Sequence, residues 1–446
     1  MALLIRLAPL LHRGVATDND SARYIEIAHG IRAGCGFARF ANGRCGAPDL
    51  LRTPGYPLLL AAMPSLRAAV AMQALIGAAL CVGIALFTLS FWGAGAAIIA
   101  ELLLALDIPS IQFGAEIMSD IPFQALVTAA ALIAVLVMVR RWSGRRAVVA
   151  TCSSALLIGL AIMVRPVGIL LIPLAAIAFI MTRHYDRRRR FAVAALALAI
   201  PALISLGWMA HNAVRSGVWT LSTDGIDVAY YFDAAAVLHA SSAGGFSQLQ
   251  ERLARSIDWN TQDYEDTPVS RLDEMRHRAL AIFIAHPQAF AEVVAGGLLW
   301  LAIVPDRGNL NDSLGTAAGS PALIAAGTAT GKRIREMLRS PLLTVLVVFQ
   351  FAIIIFAWSG VVILLQRVGR MSATELTLIL MLLGAIAAVL LPAAGGAAIA
   401  RYRVPAMPLV AILSAAGWRG RFRPARCETD QVNVAPVLGE LRRVGG

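Results

Sequence analysis

Lysine is almost missing from these 446 residues: Lys332 is the one lysine, so nearly all of the 39 Lys+Arg charge is guanidinium. Charge of either sign is scarce as well, at 15% of residues against 58% hydrophobic, which excludes a soluble globular chain. Cysteine is limited to Cys35, Cys45, Cys81, Cys152 and Cys427, and their spacing excludes a zinc-ribbon type of metal site. No basic stripe with interleaved aromatics is present, so the surplus of +12 does not point to nucleic acid. Nor does a cleavable signal pattern open the chain.

What is there is a series of apolar blocks of about 17 to 25 residues, the length that crosses a hydrocarbon core. The reading is an all-α polytopic membrane protein. Spans are expected near residues 67–89, 94–113, 120–139, 147–164, 166–182, 191–210, 341–365, 375–392 and 404–418. A partial one, Met1 to Leu11 with Arg6 inside it, is taken as the end of a first span. Residues 281–304 are apolar but interrupted by His286, Pro287 and Glu292, and are expected to form an interfacial or re-entrant helix.

Arginine clusters set the orientation: Arg140, Arg141, Arg145 and Arg146; then Arg183 with Arg187 to Arg190; then Arg419, Arg421, Arg423 and Arg426. By the positive-inside rule these face the cytoplasm, which gives ten crossings with both termini inside. Residues 12–57, 107–119 and 211–290 then lie outside, the last carrying ten acids against six arginines. Cys35 and Cys45 share the first external loop with Gly34, Gly36 and Gly43 to turn the chain, in a compartment where a disulfide between them persists. Cys81 and Cys152 fall within spans as packing residues.

The unusual polar residues collect at the outer helix ends. Asp18-Asn19-Asp20 opens a short amphipathic helix containing Arg23-Tyr24, and Asp18 or Asp20 serves equally well as its cap. Arg52-Thr53-Pro54-Gly55-Tyr56-Pro57 is a rigid turn before the next span, or an interfacial anchor. Glu116 and Asp120, four apart, share a face if helical, and a like-charged pair invites a nearby cation, although Ser119 or Asp120 also suits a cap. Arg165-Pro166, His211-Asn212, Ser222-Thr223-Asp224-Gly225 and Arg401-Tyr402-Arg403 complete the rim, and guanidinium there suits a phosphate oxyanion.

Taken in order, these segments resemble the GT-C superfamily of membrane glycosyltransferases, in particular the bacterial branch akin to protein O-mannosyltransferases and the lipid A aminoarabinose transferase. The resemblance runs from Asp18 to Pro408 and rests on Asp20 with Arg23-Tyr24, the Arg52 to Pro57 turn, Asp120 before Pro122, Arg165-Pro166, and Arg401-Tyr402 with two later prolines. It implies a GT-C-type bundle of about 10–11 transmembrane helices with external loop helices. Residues 1–418 would be the transferase domain, with 12–57 as first external loop and 211–304 as large external loop. Residues 419–446 would be a cytoplasmic basic tail.

The resemblance further implies transfer of a sugar from a polyprenyl-phosphate-linked donor to a lipid, glycan or protein acceptor, at the outer face of the bacterial plasma membrane. Asp20, Asp120 and Glu116 would be catalytic; Arg401, Arg52, Arg165, His211 and Tyr402 would hold the donor phosphate. Tyr24, Tyr56 and Asn212 would touch substrate, and Asp20 and Asp120 are candidate ligands of a divalent cation, Mg or Mn. Relatives usually carry arginine where this chain has His211, so charge there depends on pH. Two other classes compete: a secondary transporter or lipid flippase, which predicts paired charges at mid-bilayer where only Glu101 stands out, and an assembly protein whose acids are all caps. The enzyme reading requires Asp20, Asp120 and Arg401 to meet.

The arginine clusters generate a first test: reporter fusions after Arg146, Arg190 and Arg426 all report cytoplasm. A far-side signal at any of them overturns the ten-crossing topology.

Overall fold

The computed structural model describes residues 1–17, 19–181, 185–241, 244–259, 269–303 and 341–419. Asp18, Arg183 and the tail expected at 419–446, apart from Arg419, therefore lie outside the described residues. Nearly everything described is helical. A single two-stranded antiparallel sheet, β1 (Ala38–Ala41) with β2 (Arg44–Pro48), stands among them.

The chain opens with α1 (Ala2–Arg13) and the external helix α2 (Asn19–Arg32), then the hairpin, α3 (Gly55–Ala62) and α4 (Leu66–Trp92). Ser65 caps α4 by accepting the Ala68 N–H at 3.2 Å, and Gly93, at φ +85°, ends it. Next come α5 (Ala94–Ala105), α6 (Ile108–Ala115), α7 (Asp120–Val139), α8 (Gly144–Val164), a 3-10 turn at Pro166–Leu170 with α9 (Leu171–Ile180), and α10 (Arg187–Ser216). Outside lie α11 (Asp224–Asp227), a π-helical turn (Val228–Asp233), α12 (Ala234–Ser241), α13 (Phe246–Arg255) and α14 (Leu272–Ala285). The bundle is completed by α15 (Pro287–Ile303), α16 (Pro341–Leu365), α17 (Ala373–Leu390), a 3-10 helix (Ala400–Ala406) and α18 (Met407–Arg419).

Among the described residues, six helices are long and apolar enough to cross a membrane: α4, α7, α8, α10, α16 and α17; counting each of two bent pairs as one span gives eight. Among the spans expected from sequence, 94–113 is broken by a 50° bend at Leu106–Asp107. The cause is local: Asp107 accepts the Ser110 N–H at 3.1 Å and Pro109 follows, so a new helix starts where the apolar run suggests continuation. Residues 166–182 begin as a 3-10 turn because Pro166 has no N–H to give, leaving ten residues for α9. The run at 404–418 holds only thirteen helical residues, and Met407 to Gly417 are all buried, so its apolarity reflects a place at the centre of the bundle. Within the expected 281–304 run the chain bends by 100° between α14 and α15, so the pair is a broken span or a re-entrant loop and not one straight helix.

Arg6, inside the first apolar run, is almost wholly buried. Its Nη1 donates to Ser110 O and its Nη2 to Leu104 O, both at 3.1 Å, so the guanidinium ties the last turn of α5, where a carbonyl is left without a helical partner, to the first turn of α6. Gly77 makes room for it: a Cβ there would lie 2.8 Å from Arg6 Nη1. Asp107 is held in turn by Gln350 of α16, whose Nε2 donates to Oδ1 at 2.9 Å. Small residues set the tightest crossing, where a side chain at Gly417 of α18 would collide with the Gly360 carbonyl of α16.

The large external loop has a core of its own. Tyr230, Phe246, Leu249, Trp259, Leu272 and Met275 bury one another apart from the main bundle, and α13 turns its apolar side, Phe246, Leu249 and Leu253, into this cluster. The first external loop is tied by a Cys35–Cys45 disulfide with the Cα atoms 5.6 Å apart, and its Phe37 packs edge-on against Trp208 of α10 at 5.0 Å.

Closing this loop stabilises the external face by about 2 to 3 kcal/mol. Peptide mass spectrometry under non-reducing conditions recovers Cys35 linked to Cys45. Alkylation of both thiols in the folded protein overturns the pairing.

Candidate active site

Five chain segments bring charge to one end of the bundle: the first turn of α2 (Asp20), the loop before α3 (Arg52), the first residue of α7 (Asp120), the residue after α8 (Arg165) and the 3-10 helix before α18 (Arg401, Tyr402). Local chemistry fixes each. Asp49 accepts the Arg52 backbone N–H at 2.9 Å and takes Arg23 Nε on its other oxygen, closing the turn that presents Arg52. Leu50 O accepts the Thr223 N–H at 2.9 Å and Leu51 O the Ser222 hydroxyl at 2.6 Å, which bolts the same loop to the large external unit. Gly55 lets α3 start against the end of α8, since a Cβ there would lie 2.7 Å from Met163 O. That contact sets Arg52 and Arg165 side by side.

The result is an alternating network of acids and guanidiniums. Arg401 donates Nη1 to Asp20 Oδ2 at 2.8 Å and Nε to Asp120 Oδ2 at 3.0 Å. Arg52 Nη2 takes the other oxygen of Asp20, and Arg165 Nη1 takes the other oxygen of Asp120. Asp224 approaches Arg52 from the rim at 3.4 Å. The Asp120 side chain is 0% exposed and that of Arg401 6%, whereas Asp20 at 30% faces outward. Asp20 therefore gives its oxygens to arginines and not to the N–H groups of its own helix, and Asp120, although it opens α7, does the same.

Aromatic rings line the network. Arg52 lies over the Tyr24 ring at 5.3 Å, Arg165 over Tyr402 at 5.5 Å and Arg401 over Phe113 at 5.5 Å. Tyr24 pairs its hydroxyl with Ser119 Oγ at 3.1 Å, while its ring meets Tyr56 edge-on at 4.8 Å. Tyr56 donates to Gln73 Oε1 at 2.7 Å, which turns its hydroxyl into the bundle.

Three expected residues fall elsewhere. Glu116 and Asp120 do not share a helical face, because α6 ends at Ala115 and Glu116 is extended at φ −101°, ψ 157°. The Glu116 main chain is pinned by Gln73 Nε2 at 2.7 Å and its carboxylate accepts from Gln112 Nε2 at 3.5 Å. His211 stacks on Trp208 at 4.7 Å, and with Asn212, Arg215, Phe37 and Asp49 it lines a separate cavity of about 110 Å³ beside the hairpin. Asn212 is buried and donates to Thr220 O at 2.8 Å. Sequence reasoning missed Asp49, whose signal is an acid three residues before Arg52, the spacing of a side-chain-capped turn.

Electrostatics follow from the alternation. Burial pushes the Asp20 carboxyl up, but Arg52, then Arg401 and Arg165, outweigh it and hold the group well below the usual carboxylate range. Burial works against the charge on Arg52 and Arg401, yet the facing carboxylates keep both above the ordinary arginine value. Burial drives the Tyr56 and Tyr402 phenols upward, so both are neutral at pH 7.

The donor set does not fit the divalent cation expected at Asp20 and Asp120. Mg and Mn require several oxygen ligands, and here all four oxygens of the two carboxylates already accept from guanidinium. The guanidiniums of Arg52, Arg165 and Arg401 facing these acids suit an anion instead. No three His, Cys, Asp or Glu among the described residues group as metal ligands.

No protein-family model and no curated protein matches the chain. Solved structures similar to it include ArnT from Cupriavidus metallidurans bound to undecaprenyl phosphate, at 15% identity over 93% of this chain and 76% of that one, with a TM-score of 0.43. Another is the archaeal oligosaccharyltransferase AglB from Archaeoglobus fulgidus in complex with an inhibitory peptide and a dolichol-phosphate. There the identity is 16% over 93% of this chain and 49% of that one, with a TM-score of 0.48.

Proposed function

We propose that the chain is a membrane glycosyltransferase that moves a sugar from a polyprenyl-phosphate-linked donor to a lipid, glycan or protein acceptor at the outer face of a bacterial plasma membrane, with residues 1–418 as its transferase domain. The observation that carries this reading is Arg401 lying between Asp20 and Asp120 while Arg52 and Arg165 flank them. Three guanidiniums converge there on Asp20 and Asp120, with Asp224 on Arg52 at the rim; their planar forks suit a phosphodiester, and the partial exposure of Asp20 leaves one acid within reach of an acceptor.

In this reading the donor phosphate draws Arg52 and Arg401 off Asp20. Losing those charges returns the carboxylate toward its ordinary basicity, which a general base needs and which the arginine-bound form lacks. The acceptor hydroxyl or amine attacks the anomeric carbon; its proton passes to Asp20 as the new glycosidic bond forms. The bond from the anomeric carbon to the phosphate oxygen breaks, and the electron pair leaves on polyprenyl phosphate. Arg401 and Arg165 meet the growing charge on that oxyanion, a contribution that preorganised donors make without rearranging. Asp120, fully buried between the same two arginines, holds them in place. Tyr24 and Tyr402 present ring faces beside Arg52 and Arg165 at the rim.

The test is Asp20→Asn, which keeps the shape and removes the charge. Transfer from a polyprenyl-phosphate sugar falls by on the order of a hundredfold, with folding and donor binding retained. In parallel, Arg401→Gln weakens binding of undecaprenyl phosphate. Near-normal turnover in a folded Asp20→Asn protein overturns the assignment of the base.

A further inference from the structure

Arg401 does not sit on a long helix. It projects from a 3-10 helix (Ala400–Ala406) that follows an irregular stretch containing Gly395 and Gly396. This stretch is folded into consecutive turns, with the Ala398 N–H on Gly395 O at 3.1 Å and the Tyr402 N–H on Ile399 O at 3.0 Å. Little slack therefore separates position 396 from position 401. Whatever fixes Gly396 fixes the guanidinium.

What fixes it comes from the external unit. Asp233, the last residue of the π-helical turn, accepts the Gly396 N–H on Oδ1 at 2.7 Å and also accepts from the Ala397 N–H. The approach is so close that a Cβ on Gly395 would collide with the Asp233 carboxylate, and one on Gly396 with the Phe232 carbonyl. On the opposite side α15 presses against the same stretch: a Cβ on Gly297 would lie 2.7 Å from Ala394, and Arg403 Nη1 donates to Leu301 O at 2.7 Å. The turn is gripped between two elements. Single π turns occur mostly at functional sites, where the extra residue re-aims a side chain. Burial pushes the Asp233 carboxyl up to about 6 against the pull of its two backbone donors, so the fold sets a carboxylate here in spite of its desolvation.

We propose that Asp233 is a positioning residue that ties the unit formed by residues 224–285 to the turn bearing Arg401, so that the phosphate-binding guanidinium takes its place from that unit. This rests on the function proposed above. The two-glycine sequence Gly395-Gly396 and the acid belong to one device, separated by 163 residues.

The experiment measures three quantities on the full chain in nanodiscs: hydrogen exchange over residues 394–403, phenylglyoxal modification of Arg401, and affinity for undecaprenyl phosphate. In Asp233→Ala, protection over 394–403 falls, Arg401 modifies faster, and the lipid binds about tenfold more weakly. Asp233→Asn, which keeps one acceptor oxygen, restores most of all three. If Asp233→Ala does not fold, Asp233→Ser carries the same comparison. Unchanged exchange and modification in the folded variant overturn the proposal, as does lost protection with unaltered affinity. A wild-type protein that neither binds undecaprenyl phosphate nor transfers sugar sinks the functional reading alone; exchange and arginine modification then still decide whether Asp233 sets Arg401.

Discussion

One guanidinium shared by two acids organises the end of the bundle that carries the charged network. Arg401 reaches Asp20 across 381 residues of chain and Asp120 across 281, so it joins two pairs, Asp20 with Arg52 and Asp120 with Arg165, into one network. Buried charge without a partner costs several kcal/mol per ion, so Arg401 takes its place only where both acids are at hand. The flanking arginines, the Asp49 turn and the Gly55 contact then read as supports for that meeting. A network in which each acid keeps a second arginine suits a site that has to exchange one set of anions for another without collapsing.

The residues that meet were largely readable because each carries a local mark: an acid in a first helical turn, an arginine ahead of two prolines, an arginine before a proline at a helix end. What the sequence hid was geometry between marks. Glu116 and Asp120 stand four apart, a helical spacing, but α6 stops between the marks and the chain runs extended there. His211 lies on the correct side and near the correct height, but stacking on Trp208 swings it to the hairpin. Asp233 gave no signal at all, because its partners are backbone N–H groups far along the chain.

Where each span begins and ends was hard to read for a related reason. Hydropathy reports how apolar a run is and not what covers it, so α18, buried by its neighbours, looks the same as a lipid-facing helix. The break within 94–113 was marked by Asp107-Ile108-Pro109, an acid and a proline at cap spacing inside an otherwise apolar stretch. Broken helices of this kind are tolerated at membrane depth only where other protein satisfies the freed carbonyls. Here that protein is Arg6.

This last arrangement bears on how the chain is built into the bilayer. An arginine at the centre of a lone transmembrane helix costs roughly 2.5 to 3.5 kcal/mol on insertion scales, and the groups that relieve it, Leu104 O and Ser110 O, are synthesised about a hundred residues later. The charge of Arg6 is therefore met only once the elbow of α5 and α6 is in place, and the groove beside Gly77 is complete only then. In this part of the chain depth in the bilayer is set by a partner made later, and not by the apolarity of α1 alone.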